Sequence, residues 1–314
     1  IDIHENSLAP QLAHHWRYAA EGRVLNNYAA LKAAKYYGIA ASQAMQIHAV
    51  ADAIKLWEIG ISLLTELDAS KEKDALELKF LLDKGSAQIT AGSFSAPEVE
   101  TSFKRAKRLC DTSGEYKEIF RAQRGLWQVG VGRGEYDFAL VQADALVSIA
   151  QSVNDATIEL EAWRCKGTTE FWLGNFVESK AAMELTCKLY DPREHSDLWQ
   201  VFGQDPFVAT KGLYAWALVH LGDLQKGKYQ AAIAEKRANE INHPFSIAYA
   251  KGARMWTGYF ANDKKLAVKA STECIQISLE RSFPYLTAAG HVVHGWATGD
   301  LNEINDAIED WGKV

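Results

Sequence analysis

His291 and His294 stand three residues apart in a stretch that reads as helix, a spacing that brings two imidazoles to one face and can serve a metal ion. No carboxylate or cysteine nearby completes a ligand set, and the neighbours Val292, Val293 and Trp296 are apolar, so packing is the expectation. His14 and His15 are adjacent, which turns their rings about 100° apart on a helix and makes a poor chelate. Cys110, Cys165, Cys187 and Cys274 are scattered with no CxxC spacing and read as reduced, buried thiols. The loop Gly203-Gln204-Asp205-Pro206 can be shaped for a ligand. Its mechanical reading is that Asp205 caps the helix that Pro206 opens, with Gly203 permitting the turn before it. Asp83-Lys84-Gly85-Ser86 lacks the leading glycine and the preceding strand of a phosphate-binding loop. No nucleophile stands beside a base at a defensible spacing. The residues therefore predict no catalytic centre, no cofactor and no metal.

The elements that must position these side chains are helices. Six prolines, Pro10, Pro97, Pro192, Pro206, Pro244 and Pro284, fall between helical patterns or just inside the next one, where a missing N–H costs nothing. Ala49, Val50, Ala53, Ile54, Trp57, Ile61 and Leu64 mark one apolar face at helical spacing; Val99, Phe103, Ala106, Leu109 and Cys110 mark another. No stretch alternates as a strand would.

A short turn recurs as Gly134-Glu135-Tyr136, Gly174-Asn175-Phe176, Gly222-Asp223-Leu224, Asn262-Asp263-Lys264 and Gly299-Asp300-Leu301. By subtraction, successive copies lie 40, 48, 40 and 37 residues apart. Gly or Asn can take the left-handed conformation that ends a helix, and in most copies the next residue can cap the following one. Five residues after each turn's first residue stand Ala139, Ser179, Gly227, Ala267 and Ile304, mostly small, as a close antiparallel crossing requires. Each unit is thus two antiparallel helices with a tight turn between them. The expected fold is all-α, a right-handed α-solenoid of antiparallel helix pairs, or tetratricopeptide-like superhelix. The spacing exceeds the usual repeat of about 34 residues, and the segment Tyr190 to His195 carries the longest step. Upstream the phase is less regular, with helices predicted near 8–20, 25–45, 47–67 and 71–92. The expected organisation is one continuous solenoid: an irregular cap over 1–93, then regular repeats over 94–314.

Bulk properties exclude several classes. The chain has 314 residues, 48% hydrophobic and 24% charged, enough to fill a core. A net charge of −6 with the two signs interspersed argues against a nucleic-acid or anionic-membrane partner. No apolar run approaches the roughly 20 residues of a membrane span. The start, Ile1 to Asn6, is polar and lacks Met, which suggests a segment of a longer cytoplasmic protein.

Several short motifs follow one another in an order that resembles a known family. They are Leu12-Ala13-His14-His15-Trp16, Ala96-Pro97-Glu98-Val99-Glu100, Arg108-Leu109-Cys110, Leu189-Tyr190-Asp191-Pro192, Gly203-Gln204-Asp205-Pro206 and His243-Pro244-Phe245-Ser246. Over roughly residues 8–300 the chain resembles the C-terminal tetratricopeptide-like region of bacterial signalling proteins that carry a class III adenylate/guanylate cyclase domain, or a related regulatory domain, and an ATPase domain. The resemblance implies a parent with cyclase or ATPase chemistry located outside this segment.

In the tetratricopeptide pattern, the first helix of each pair lines the concave groove. Aligned on the turns, that face carries Arg121, Arg124 and Gln128, then Arg164 and Thr168, then Trp216, then Trp256 with Tyr259, and lastly Trp296. A face grading from basic to aromatic suits a peptide with an acidic end and apolar anchors; the plainer reading is packed aromatics and solvated arginines. The expected function is a non-catalytic scaffold that binds a protein or peptide segment, another domain of the parent being one candidate. The second reading is a small-molecule sensor with an aromatic pocket inside the superhelix. The oligomeric state is not legible. Trp311, in the predicted last helix at 301–313, sits where a further neighbour would pack.

Overall fold

The computed structural model describes residues 7–21, 26–47, 49–90, 96–113, 115–202 and 204–312. Among them there is no strand, and the chain is an all-α array of antiparallel helix pairs, as the turn spacing predicts. It divides into two compact units, residues 1–133 and 134–314. The boundary expected near residue 93 falls outside the described residues.

The first unit holds α1 (Ala9–Ala20), α2 (Asn27–Gln46), α3 (Val50–Thr65), α4 (Lys71–Thr90), α5 (Pro97–Ser113) and α6 (Tyr116–Gly132), each packed on the next. Asn26 caps α2 by accepting from the Ala29 amide at 3.1 Å, and Glu115 with Glu118 forms a capping box at α6. Alanines 29, 30, 33, 34, 40 and 41 of α2 are buried, so its neighbours approach closely. Two phenylalanines sit in glycine sockets. The Phe80 ring lies over Gly38 and Gly60, where an added Cβ would come within 2.3 and 2.7 Å of it. Phe103 lies over Gly85 and Gly125, with corresponding distances of 2.7 and 2.3 Å. Ion pairs then lace adjacent helices: Arg105 to Glu77 at 2.8 Å, Arg121 to Asp83 at 2.8 Å and Arg133 to Glu100 at 2.6 Å.

The second unit alternates inner and outer helices. The outer ones are α7 (Tyr136–Ser152), α9 (Phe176–Leu189), α13 (Leu224–Ile241), α15 (Lys264–Arg281) and α17 (Leu301–Trp311). The inner ones are α8 (Ala156–Trp172), α12 (Pro206–His220), α14 (Pro244–Phe260) and α16 (Pro284–Thr298); the short α10 (Pro192–His195) and α11 (Leu198–Phe202) lie in the long connection. Besides packing on the outer helices, α12 meets both α8 and α14, and α14 meets α16, so the inner helices form a continuous row.

Every turn residue singled out in the sequence is left-handed: Gly134, Gly174, Gly222 and Gly299 at φ 71°, 84°, 89° and 84°, and Asn262 at 52°. The reversal is closed by main-chain bonds, as from the Asp223 amide to the Leu218 carbonyl at 2.9 Å and from Asp263 to Gly258 at 2.8 Å. Capping holds for only part of the series. Asp223, Asp263 and Asp300 accept from amides of the next helix, whereas Glu135 and Asn175 do not; the Asn175 amide group donates to Glu170 at 2.7 Å instead. Ala139, Ser179 and Ala267 at the crossing are fully buried, and Ser179 Oγ donates to the Gly167 carbonyl at 2.8 Å. Ile304, the large residue of the series, is accommodated because Gly295 faces it; a Cβ there would lie 2.8 Å from Ile304 Cγ1. A second left-handed series, Asn242 and Ser282 at φ 50° and 58°, joins one repeat to the next and has no glycine to announce it.

Candidate functional site

Of the nine groove candidates, Arg121, Arg124 and Gln128 belong to the first unit and the remaining six to the second. On α6, Arg121 is bonded to Asp83, Arg124 is buried and Gln128 is half-buried. On α8, Arg164 is 2% exposed and grips Glu161 of the same helix, Nε to Oε2 at 2.7 Å and Nη2 to Oε1 at 2.5 Å. Thr168 is buried and returns its hydroxyl to the Arg164 carbonyl at 2.8 Å. The basic members therefore include a neutralised buried pair, a half-buried ion pair and packed side chains.

The aromatic members are brought together. Inner helices leave their last turns side by side, and the rings on those turns meet in succession. Tyr136 stacks on Trp172 with centroids 5.9 Å apart and planes 6° from parallel. Trp172 meets Trp216 at 6.3 Å, Trp216 meets Phe260 at 6.0 Å, and Phe260 stacks on Trp256 at 5.8 Å. Trp256 then touches Tyr259 at 5.4 Å, Tyr259 touches Trp296 at 4.7 Å, and Lys264 Nζ lies 5.7 Å over the Trp296 ring. Trp216 is 6% exposed, its indole N–H donating to the Ala253 carbonyl at 2.9 Å, so it is a keel. Trp172 at 40% and Tyr259 at 36% are exposed, while Trp256 and Trp296 are half-buried.

The turns themselves carried the signal for the members that sequence reading missed. Two residues before the turn stand Trp172, His220 and Phe260, and two after it Tyr136 and Phe176; His220 stacks on Phe176 at 4.4 Å and leans on Phe260 at 4.6 Å. Two further tyrosines, Tyr249 and Tyr285, were also missed. Burial pushes Tyr249 up to about 12, against the pull of Arg164. Tyr285 is 41% exposed, yet its phenol is raised by burial and then by Tyr136, whose own phenol burial also raises. At neutral pH all three are neutral hydroxyls, able to donate and accept.

The other sequence-predicted features resolve structurally. Asp205 is fully buried and accepts from the Val208 amide at 2.9 Å and from Tyr190 Oη at 3.4 Å, with Arg237 Nη2 at 3.6 Å; burial raises its carboxyl despite these partners. It is the cap of the helix that Pro206 opens; Gly203 lies outside the described residues. His291 and His294 do have a carboxylate: Glu303, across the Gly299 turn on α17, meets one Nδ1 with each oxygen at 2.8 Å. Among the described residues no three His, Cys, Asp or Glu side chains are grouped to hold a metal, and no helix is long and apolar enough to cross a membrane. The four cysteines form no disulfide, and three of them are buried.

The fold and the inner row define a tetratricopeptide-like helical repeat protein, a class shared with solved structures of low identity. The apo form of RapI is 13% identical with a TM-score of 0.66, the match covering 90% of this chain and 99% of that one. A Rap protein complexed with competence and sporulation factor is 13% identical with a TM-score of 0.65, over 92% of this chain and 75% of that one. The signal-transduction ATPase with numerous domains and a tetratricopeptide repeat sensor from Pyrococcus horikoshii is 13% identical with a TM-score of 0.52, over 100% of this chain and 53% of that one. No family model matches the chain, and no curated protein matches it by sequence.

Proposed function

We propose that the inner face of the second unit binds a peptide or protein segment and that the chain is a non-catalytic regulatory scaffold. The observation that carries this is the unbroken succession of rings from Tyr136 to Trp296, exposed at Trp172 and Tyr259 and backed by the buried Trp216. Aromatic faces take apolar side chains and neutral phenols take main-chain amides, which together suit an extended or helical segment. With Arg164 already paired to Glu161, the aromatic rings supply the affinity, and an acidic group of the segment falls to Lys264. Support also comes from the nature of similar folds: one Rap protein is complexed with competence and sporulation factor, and a Rap conjugation gene regulator with the Phr* peptide. A cytoplasmic setting, and a cyclase or ATPase domain of a parent chain as the segment bound, belong to the same proposal and rest on the sequence motifs.

Selection of a random peptide display library on the full chain tests it. Binders are expected, with affinity falling about tenfold or more for Trp256→Ala or Trp296→Ala, since each removes an aromatic anchor. A library that yields nothing, or binders indifferent to both substitutions, would refute the assignment.

A further inference from the structure

Two residues before each of three successive corners stands a ring: Trp172, His220 and Phe260. Trp172 and Phe260 give the row large aromatic faces, and the imidazole between them is its polar exception. Stacking alone would be served by phenylalanine, so His220 brings nitrogens that packing does not require.

One of those nitrogens is engaged inside the fold. Nδ1 lies 2.8 Å from the Trp216 carbonyl, one helical turn back on α12. A carbonyl only accepts, so Nδ1 carries the hydrogen and the neutral ring keeps its lone pair at Nε2. Rings hold the imidazole in place. It stacks on Phe176 with centroids 4.4 Å apart and planes 26° from parallel. It also meets Phe260 at 4.6 Å and Phe171 at 5.4 Å. The residue is nevertheless exposed, and Nε2 has no hydrogen bond among the described residues.

The other polar groups of the row have a different character. The indoles of Trp172, Trp256 and Trp296 and the ammonium of Lys264 can only donate, while the phenols of Tyr136 and Tyr259 can do both. Among these side chains His220 Nε2 alone is confined to accepting. Apolar surface lies beside it: Leu221 is 42% exposed, and Phe176 and Phe260 are half-buried. A group that bonds Nε2 must bring its donor on a body that covers this surface. An indole or a phenol meets both demands.

We propose that His220 is a specificity-determining residue of the row, its Nε2 accepting a hydrogen bond from the indole or phenol of a Trp or Tyr in the bound segment. This rests on the inner face being a binding surface, and it adds which side chain that face selects.

Paired small probes separate the two. Indole and p-cresol are titrated into the full chain carrying isotope-labelled histidine, near pH 8, where an ordinary imidazole is neutral. Each is run beside a methylated analogue without the donor, N-methylindole or p-methylanisole, and nitrogen NMR reads the rings. In the free chain His220 should carry its hydrogen on Nδ1. Indole and p-cresol should shift the Nε2 signal and bind severalfold tighter than their analogues, because a methyl in that place leaves Nε2 covered and unpaired. A difference in one pair alone names the side chain. His220→Phe keeps the stack on Phe176 and should abolish the difference. A free chain with the hydrogen on Nε2 overturns the proposal whatever binds. Equal affinity within both pairs also overturns it, while leaving the inner face a binding surface. If no probe moves the His220 signals the proposal falls as well, and the library selection decides separately whether the face binds segments.

Discussion

The two units solve the same problem, antiparallel helices at close quarters, by different means. In the first, single large rings fill gaps left by glycines on two other helices: Phe80 against Gly38 and Gly60, Phe103 against Gly85 and Gly125. In the second, the main chains themselves touch, through Ser179 and Ala267 opposite Gly167 and Gly258, and a left-handed residue fixes each reversal. The first solution concentrates stability in a few side chains. The second distributes it over a repeated corner, so that the unit can be extended and the inner helices are free to carry aromatic and polar side chains that are not needed for closure.

The largest expected effect breaks the first unit. Phe103→Ala empties a socket shared by α4 and α6 and should cost about 3–5 kcal/mol, read as a lower urea midpoint. Hydrogen exchange should rise over residues 71–133 and stay unchanged over 134–314. Equal loss across both would show that the units unfold as one, and the contrast would have to be abandoned. Next comes Glu161→Ala in the second unit, which strands Arg164 without its carboxylate and should cost about 3 kcal/mol. The double replacement of Glu161 and Arg164 by Met should recover most of that loss; a double-mutant cycle without coupling would show that the pair is incidental.

The two solutions were unequally legible in the sequence. Helices expected at 8–20, 25–45, 47–67 and 71–92 occur at 9–20, 27–46, 50–65 and 71–90, because apolar spacing and prolines are local signals. The corners were legible for the same reason, since only certain residues tolerate a positive φ. The sockets were not: Phe80 lies 42 residues from Gly38, and no periodicity joins them. The aromatic row was half visible. Trp216, Trp256, Tyr259 and Trp296 follow from helical register, whereas Trp172 and Phe260 require the corner to be known first. His291 and His294 were read without Glu303 because their carboxylate comes from the next helix. Asn242 and Ser282 show the limit of the corner signal, being left-handed without glycine.

A smaller effect tests the corner itself. Gly222→Ala places a Cβ at φ 89° with nothing packed near it, so its cost of about 1–2 kcal/mol would be conformational. Gly222→Asn should cost about half as much, since Asn262 occupies the same conformation in the next repeat. A lowered thermal midpoint for Ala with an intermediate value for Asn is expected. Identical midpoints for all three chains would mean that the corner is dictated by packing and not by the residue in it.

The smallest effect is local and depends on pH. Burial works to raise the Glu303 carboxyl, but the bonds from His294 and His291 outweigh it and hold it below its ordinary value of 4.5. A depressed carboxyl stabilises docking of α17 at pH above that ordinary value, and the contribution disappears as pH falls through the depressed one. Exchange protection over residues 301–311 should therefore be flat from neutrality down to about pH 5 and then decline, ahead of residues 264–281, whose helix is covered on both sides. Glu303→Gln should lower protection at neutral pH and flatten the acid decline, because an amide does not titrate. If the two chains lost protection along the same acid curve, the pinning of the last helix would rest on Ile304 against Gly295, and the terminal repeat would be built like the others.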